Sequence, residues 1–379
     1  MRPFCLGKIG AIPIPHSTMN EHIQIDVIGH TGVLTLDRPK ALNSLSLAMI
    51  RTLTQTLAAW RDDDSIKAVL IRSSSEKAFC AGGDIRFFYD AGRAQPAGGS
   101  ALLEDFFTEE YALNHLIHHY PKPYIAAMDG VVMGGGMGIA QSGPSNQLRI
   151  VTERTKMAMP EVNIGLFPDV GGSYFLPRTP GRVGMYLGIT GETINAADAL
   201  YVGLADVYLP SARLAQLAEV CTLAPDPRNA IREFAAPFQS ELAALPSTLE
   251  AQHALIDRHF AHDSVVDILA SLAGDNDPFA VKTAAGLSKR SPLMMCVTFT
   301  LLKCGAELDV ADCLRLERTL VRRAFEGGEI LEGVRALVID KDNAPRWNPA
   351  RVEDVTPEMV AHFFESPWPA YAHPLRFLV

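Results

Sequence analysis

The 379-residue sequence lacks the features of several specialised protein classes. Its six cysteines are scattered without a C-x-x-C pair, which argues against a zinc ribbon or a disulfide framework and fits a reducing compartment. The longest apolar stretches are glycine-rich or broken by charge, so no membrane span is expected. There is no basic tract and the formal net charge is −9, which disfavours nucleic acid and anionic membranes as partners. A P-loop and a nucleophile elbow are unsupported, because neither G-x-x-x-x-G-K-[ST] nor G-x-S-x-G occurs.

The composition is that of a globular protein with a sizeable core. Apolar residues make up 48% of the chain and charged residues 20%, and the length suffices for one large domain or two ordinary ones. Residues 1–18 carry basic but no acidic side chains, and either Met1 or Met19 could be the true start. A short organellar presequence is not favoured, because this segment is brief and proline-rich. We therefore predict a cytoplasmic protein, with the mitochondrial matrix as the alternative.

Strand and helix patterns alternate up to about residue 210. Residues 22–37 alternate in polarity on both sides of the turn GHTG, which predicts a hairpin. Apolar residues recur at helical spacing over 46–60 and 105–120, and both segments are predicted helices. The small, Gly/Pro-rich residues 88–100 are predicted to form a mobile loop. Such alternation predicts a mixed α/β fold.

Beyond residue 211 the strand signals almost disappear, and helical periodicity takes over at 245–258, 291–303 and 310–325. We therefore predict three regions, which are an N-terminal extension (1–21), an α/β core (22–210) and a helical C-terminal region that closes on the core (211–379).

Two glycine loops, AFCAGGD (78–84) and MGGGMG (133–138), each follow a predicted strand and lead towards a helix. Free N–H groups at a helix start can bind an anionic oxygen, and glycine removes the side chain that would block its approach. Two such loops on neighbouring strands would form an oxyanion hole for a carbonyl group. On the glycines alone, a pair of tight strand-to-helix turns is the better explanation. The spacing does not fit a dinucleotide fingerprint.

Four segments resemble, in order and spacing, the crotonase superfamily, the enzymes of the enoyl-CoA hydratase/isomerase type. They are LDRPKALNSL (36–45), KAFCAGGDI (77–85), GVVMGGGMGIA (130–140) and AMPEVNIGLFPDVGGSYFLPR (158–178). Within the superfamily, AFCAGGDI, MGGG and the segment from MPE to DVGG are most similar to the 3-hydroxyisobutyryl-CoA hydrolase family. The segment EGVRALVIDKDNAPRWNPA (332–350) is also similar to the C-terminal region of that family.

The resemblance implies a crotonase-like spiral of ββα units, with helices that close over a pocket for a CoA thioester. It implies that the N–H groups of Gly83 and Gly135 form the oxyanion hole. It also implies that CoA lies along the RPKAL loop and along residues 81–85. The positions that this gives for CoA are Lys40, Ala41, Ala81, Asp84 and Ile85.

The same resemblance assigns the catalytic carboxylates. Hydratases of the superfamily carry one glutamate three residues after the middle glycine and a second in the MPE-like segment. This chain has Gly138 at the first position and Glu161 at the second. Hydrolysis needs one carboxylate, which activates water or attacks the thioester, together with an oxyanion hole. In the hydrolase family, the aspartate equivalent to Asp169 holds the 3-hydroxyl group of the substrate. A pocket glutamate of the family matches Glu110, with its neighbour Glu109 as the alternative.

These inferences favour an acyl-CoA thioester hydrolase that acts on 3-hydroxyisobutyryl-CoA or 3-hydroxypropionyl-CoA in valine breakdown. No metal or redox cofactor is implied, since CoA enters as part of the substrate. A hydratase or isomerase on the same fold is the closest alternative, followed by a non-catalytic CoA-binding protein. The resemblance allows a homo-oligomer without fixing its size. Cys80 is interpreted as a buried apolar residue rather than a nucleophile, and His115, His118 and His119 as a helix face rather than a metal site.

Overall fold

The structure is a computed structural model that describes residues 17–20, 22–95, 99–141, 143 and 147–379. The strands of this part of the chain are β1 (Ser17–Asn20), β2 (Ile23–Ile28), β3 (Thr31–Leu36), β4 (Ala68–Ser73), β5 (Ala78–Cys80), β6 (Tyr124–Met128), β7 (Val131–Met133), β8 (Gln147–Val151), β9 (Lys156–Ala158) and β10 (Val207–Tyr208). The helices of the first half are α1 (Leu47–Arg61), α2 (Ile85–Ala94), α3 (Ala101–His118), α4 (Gly135–Gly138), α5 (Gly172–Phe175), α6 (Val183–Thr190) and α7 (Ala196–Tyr201). Those of the second half are α8 (Leu217–Val220), α9 (Pro227–Ala235), α10 (Gln239–Leu242), α11 (Thr248–Phe260), α12 (Val265–Ala273), α13 (Pro278–Leu287), α14 (Pro292–Gly305), α15 (Val310–Gly327), α16 (Glu329–Val334) and α17 (Pro357–Phe364).

The strands form two sheets. The larger has the order β1-β2-β3-β4-β6-β8-β10, and the smaller has the order β5-β7-β9. The predicted hairpin is confirmed, because β2 and β3 pair antiparallel with Ile25 opposite Leu34. From β3 onward the neighbours in the larger sheet run parallel, as do all three strands of the smaller sheet. Three successive pairs, β4 with β5, β6 with β7 and β8 with β9, therefore each give one strand to each sheet.

Helix α1 follows the predicted pattern. The side chain of Ser46 accepts a hydrogen bond from the backbone N–H of Met49, and the buried face includes Ile50, Leu53 and Leu57. A serine at this position satisfies one of the free N–H groups of the first turn. The apolar face then packs into the main core.

The prediction of a mobile loop at 88–100 is wrong for most of its length, because helix α2 continues to Ala94. The side chain of Asp84 caps this helix by accepting from the N–H of Phe87. Phe88 packs against Phe106 with ring centroids 4.8 Å apart. Burial of an aromatic ring outweighs the low helix propensity of Gly92. Positions 96–98 lie outside the described residues.

The C-terminal half is helical, as predicted, and α11, α14 and α15 correspond to the three periodic segments. Helix α15 packs against α3, while α16 packs against α2 and the short helix Glu161–Ile164. Strand β1 pairs with β2, so the predicted N-terminal extension contributes at least Ser17–Asn20 to the larger sheet. Residues 1–16 of that extension lie outside the described part of the chain. None of the described helices has the length and apolar character needed to cross a bilayer.

Candidate active site

The smaller sheet brings three predicted site residues to one edge. Gly83 follows β5, Gly135 follows β7 and Glu161 follows β9, and these three strands are parallel neighbours. The carboxyl ends of parallel strands meet at the same edge of a sheet. The repeated strand pairs therefore place both glycine loops and the MPE segment side by side.

A cavity of about 220 Å³ opens at this edge. The predicted site residues that line it are Ala81, Gly83, Ile85, Glu110, Gly135, Glu161 and Asp169. Aromatic and aliphatic side chains, including Phe88 and Phe107, form much of the rest of the wall. Leu337, from the C-terminal region, also lines the cavity and is 45% exposed. The site is thus a mainly apolar pocket with a few converging polar groups.

The backbone N–H groups of the two glycine loops lie close together. A Cβ atom built on Gly135 would lie 3.4 Å from the Gly83 nitrogen, and one built on Gly82 would lie 3.6 Å from the Gly135 nitrogen. Neither the Gly83 nor the Gly135 N–H group has a hydrogen-bond acceptor among the described residues. Two free donors in this arrangement can bind one carbonyl oxygen and stabilise negative charge on it.

The glycines also make room for the carboxyl groups. A Cβ atom on Gly134 would lie 2.6 Å from Oε1 of Glu161, and one on Gly135 would lie 2.6 Å from Oε1 of Glu110. Gly134 has a φ of +48°, which L side chains rarely adopt. Gly134 is therefore needed for its backbone conformation, and both glycines are needed because a side chain would overlap the carboxyl groups that approach them.

Four carboxyl groups lie buried at the site, those of Glu110, Glu161, Asp169 and Glu317. Burial raises the pKa of Glu110 and of Glu161 well above the ordinary value, and the nearby Asp169 raises both further. Burial also raises the pKa of Asp169 to about 6 and that of Glu317 to about 8. Strongly raised carboxyl pKa values in a cavity are a mark of functional sites.

Asp169 differs from Glu110 and Glu161 because another side chain donates a hydrogen bond to it. The Tyr111 hydroxyl donates to Oδ2 of Asp169 at 2.7 Å, and this bond opposes the effect of burial on the Asp169 pKa. One oxygen each of Glu110 and Glu161 is buried without a protein partner. These two oxygens are available to a substrate or to water.

The two candidate pocket glutamates of α3 lie in different surroundings. Glu110 is 2% exposed and lines the cavity. Glu109 lies outside the cavity lining, where its carboxylate binds Arg51 at 2.6 Å. The prediction that names Glu110 therefore agrees with its position.

Three residues predicted to contact CoA lie outside the cavity lining. Lys40 is exposed and Ala41 is half-buried in the short helix Pro39–Ala41. Asp84 caps α2 and forms an ion pair with Arg38 at 2.8 Å, so its carboxylate already has partners. Their contacts with CoA stay a prediction about the approach to the cavity.

The residues set aside earlier show no sign of catalytic chemistry. Cys80 is fully buried, and burial raises the pKa of its thiol to about 12, so the thiol stays protonated at neutral pH. Burial lowers the pKa of His115 and of His118 to about 4. The described residues contain no cluster of three or more His, Cys, Asp or Glu side chains arranged to hold a metal ion.

A family model described as enoyl-CoA hydratase/isomerase matches residues 31–364. The chain belongs to this family. The resemblance predicted from the four sequence segments is thereby confirmed, and the match extends far beyond the predicted core.

Two curated relatives of this family member are named 3-hydroxyisobutyryl-CoA hydrolase, mitochondrial. The protein of Danio rerio is 39% identical over 354 residues, which cover 92% of this chain and 91% of that protein. The protein of Homo sapiens is 36% identical over 355 residues, which cover 93% and 90%.

Two solved structures share the fold. A carnitinyl-CoA dehydratase from Mycobacterium thermoresistibile has a TM-score of 0.83 and 38% identity, over 92% of this chain and 98% of that chain. An enoyl-CoA hydratase from Rhodobacter sphaeroides 2.4.1 has a TM-score of 0.81 and 35% identity, with the same coverage. The predicted mixed α/β, crotonase-like fold is confirmed.

Position 138 distinguishes this family member from the hydratase pattern. A Cβ atom built on Gly138 would lie 2.6 Å from Cβ of Val170 and 2.8 Å from Nδ2 of Asn114. Both neighbours are buried, so they cannot easily move away. A side chain at this position would therefore overlap Val170 and Asn114 unless both shift.

Glu317 was missed by the sequence analysis. It lies on α15, whose buried stripe includes Leu314, Leu320 and Val321, and its side chain is completely buried. The available signal was an acidic residue on the apolar stripe of an amphipathic helix. Its contact with the core could not be predicted, because its partners Gly171 and Ser173 lie about 145 residues earlier in the chain.

The buried carboxyl groups predict an unusual dependence of stability on pH. Because the folded protein holds the Glu317 proton more tightly than the unfolded chain, the free energy of unfolding falls as the pH rises from 4.5, the ordinary pKa, to about 8. Glu317→Gln removes this contribution, which is at most about 5 kcal/mol at about 1.4 kcal/mol per pH unit. Urea unfolding of the wild type and of E317Q between pH 4.5 and pH 9 measures the difference in the free energy of unfolding. Parallel curves for the two proteins would contradict the prediction.

Proposed function

We propose that this protein is a thioester hydrolase that acts on 3-hydroxyisobutyryl-CoA. The observation that carries the proposal is the combination of Glu161 in the cavity with a glycine, in place of a second glutamate, at position 138. Hydration needs acid and base at the two ends of one water molecule, whereas hydrolysis of a thioester proceeds with one carboxylate. The curated relatives support the same activity by name.

In the proposed reaction the thioester oxygen accepts hydrogen bonds from the N–H groups of Gly83 and Gly135. These bonds stabilise the negative charge that develops on this oxygen when the carbonyl carbon is attacked. The ionised Glu161 carboxylate either takes a proton from the attacking water or attacks the carbon itself to form a transient anhydride. The C–S bond breaks in both routes, and the CoA sulfur leaves as a thiol with a proton that comes from water. In the anhydride route a water molecule then cleaves the anhydride, which restores Glu161 and supplies the second oxygen of the acid product.

Asp169 is proposed to bind the 3-hydroxyl group of the acyl chain. Its carboxylate accepts from Tyr111 through Oδ2, which leaves lone pairs free for the substrate hydroxyl. Its pKa of about 6 keeps Asp169 mostly ionised at neutral pH, so it can accept this bond. Glu110, on the other side of Gly135, completes the polar part of the pocket.

The proposal needs no metal or redox cofactor, because backbone N–H groups and carboxylates perform each step. CoA would extend from the cavity along Ala81 and Ile85 towards the exposed Lys40, whose charge suits a phosphate group. The names of the curated relatives favour the mitochondrial matrix over the cytoplasm. A homo-oligomer stays a prediction.

The proposed function is tested by the release of free CoA. We expect the purified protein to liberate thiol from 3-hydroxyisobutyryl-CoA, measured with a thiol-reactive dye. Isobutyryl-CoA, the matched substrate without the hydroxyl group, should show a kcat/KM lower by about tenfold or more, because Asp169 is left without its partner. Equal values for both substrates would contradict the role of Asp169, and absence of thiol release would reject the function.

The names of the two similar solved structures, a carnitinyl-CoA dehydratase and an enoyl-CoA hydratase, favour the hydratase alternative. An absorbance assay with crotonyl-CoA distinguishes hydration from hydrolysis. Hydration removes the absorbance of the conjugated thioester without releasing thiol. We expect the absorbance to fall no faster with the protein than without it.

A further inference from the structure

The loop that follows Asp169 has a strained backbone. Val170 has a φ of +51° and Gly171 a φ of +90°. A β-branched residue rarely adopts the left-handed region, and such a conformation persists only where the surrounding structure fixes it. Val170 is 3% exposed and lines the catalytic cavity beside Asp169.

The group that fixes this loop is the carboxyl group of Glu317 on α15. The Gly171 N–H donates to its Oε2 at 2.8 Å, and the Ser173 N–H donates to its Oε1 at 3.0 Å. The Ser173 hydroxyl donates to the same Oε1 at 2.5 Å. Glu317 and Ser173 are both completely buried, so water does not compete for these bonds.

The same loop is packed from a second direction. A Cβ atom on Gly305 of α14 would lie 2.0 Å from the carbonyl oxygen of Ser173, which shows how closely that helix approaches. Asp169, two residues before Gly171, is in turn bonded to Tyr111 of α3. Movement of the loop would therefore displace Asp169 relative to the Tyr111 hydroxyl.

We propose that Glu317 is a positioning residue for Asp169, because its three hydrogen bonds hold residues 169–173 in the strained conformation that directs the Asp169 carboxylate into the cavity. The expected effect of Glu317 on kcat rests on the proposed function, in which Asp169 binds the substrate hydroxyl. Glu317 itself does not line the cavity.

The sharpest variant is Glu317→Gln, which keeps the shape of the side chain. An amide has only one oxygen, so the glutamine can accept from the N–H of Gly171 or of Ser173 but not from both. Its NH₂ group then faces the other N–H, and two donors repel each other. Asp198 offers a matched control, because its carboxylate also accepts two backbone N–H groups, those of Asn195 and Leu249, and the Ser247 hydroxyl. It is 4% exposed and lies outside the lining of the catalytic cavity.

The first experiment measures kcat and KM for thiol release from 3-hydroxyisobutyryl-CoA with wild type, E317Q and D198N. We expect E317Q to lower kcat by about tenfold to a hundredfold with KM within about threefold, because a small misplacement of a substrate-orienting group costs about this much. D198N should leave kcat near the wild-type value. Equal kcat values for E317Q and D198N would overturn the inference.

The second experiment follows the titration of the Asp169 carboxyl group by NMR of ¹³C-labelled aspartate, assigned with Asp169→Asn. The titratable groups that interact with Glu317 or Asp169 are Tyr111, Glu110, Glu161 and Cys313. We expect E317Q, but not D198N, to move the Asp169 midpoint from about 6 by at least about half a pH unit. An unchanged midpoint in E317Q would overturn the inference.

The two experiments separate the inference from the proposed function. If wild type releases no thiol, the proposed function fails and the Asp169 titration decides the inference alone. If E317Q does not fold, Ser173→Ala takes its place, since it removes the hydroxyl bond to Glu317 and keeps both backbone N–H bonds to that carboxyl group. A smaller loss of kcat, with KM unchanged, supports the inference, and a wild-type kcat in S173A overturns it.

Discussion

Glu161→Gln is expected to lower kcat for 3-hydroxyisobutyryl-CoA hydrolysis by about 10³-fold or more, with a much smaller change in KM. Glutamine has the same shape but can neither accept a proton from water nor attack the thioester, and general-base catalysis alone contributes about 10²- to 10⁴-fold. Oε2 of Glu161 is buried without a protein partner, so no bond within the protein is lost there. Steady-state kinetics with a thiol-reactive dye measures the change.

The same substitution should not weaken the fold. Burial raises the pKa of Glu161, which means that its ionised form is costly in the folded protein. A neutral amide at this position avoids that cost, so we expect the thermal midpoint of E161Q at pH 8 to equal or exceed that of wild type. Lower activity together with unchanged or higher stability is the result expected for a functional group rather than a structural one.

The control for Glu161→Gln is Glu109→Gln. Glu109 is a partly exposed glutamate outside the cavity, and its ion pair with Arg51 is of the surface type that contributes little. Its kcat should stay within about twofold of wild type, as substitutions away from buried and catalytic features have small effects. Retention of more than a tenth of the wild-type kcat by E161Q would reject the proposed mechanism.

The sequence predicts most of the elements that carry the site. Hairpins, capped helices and strand–glycine–helix segments are local patterns, so β2, β3 and α1 are confirmed close to their predicted bounds. The strands that bring Gly83, Gly135 and Glu161 together, β5, β7 and β9 of the smaller sheet, were not predicted, because each has only three residues. Helical phase also favours Glu110, which shares a face with Phe106 and Phe107.

The features that sequence reasoning misses depend on contacts between distant segments. Helix α2 continues to Ala94 because Phe88 and Gly92 pack against aromatic residues elsewhere, including Phe325 of α15. The left-handed conformation of Val170 contradicts the preference of a β-branched residue. Local propensity does not predict this conformation, because the loop is held by Glu317 on a helix of the C-terminal region as well as by the local bond from the Gly172 N–H to the Asp169 carbonyl.

Gly135→Ala is the second substitution with a large expected effect. The φ of Gly135 is not in the left-handed region, so alanine is compatible with the backbone. Its methyl group would instead lie 2.6 Å from Oε1 of Glu110, 3.3 Å from Cδ1 of Leu45 and 3.4 Å from the Gly83 nitrogen. It would therefore occupy the space between the two N–H donors, which is the place of the thioester oxygen in the proposed reaction. Loss of a single oxyanion-hole donor costs about 10²- to 10³-fold in kcat, and we expect at least this loss.

Gly92→Ala separates a blocked oxyanion hole from ordinary steric strain. A Cβ atom on Gly92 would lie 2.7 Å from Cδ2 of Leu331, an overlap similar to that at Gly135, but Gly92 does not line the cavity. Both variants should lower the thermal midpoint, because added volume strains a packed core. Only G135A should also lose kcat by two orders of magnitude or more on this argument. A G135A protein that folds and keeps a kcat within tenfold of that of G92A would contradict the prediction. It would show that the thioester oxygen binds elsewhere and that the glycines at the strand ends are needed only for the backbone conformation.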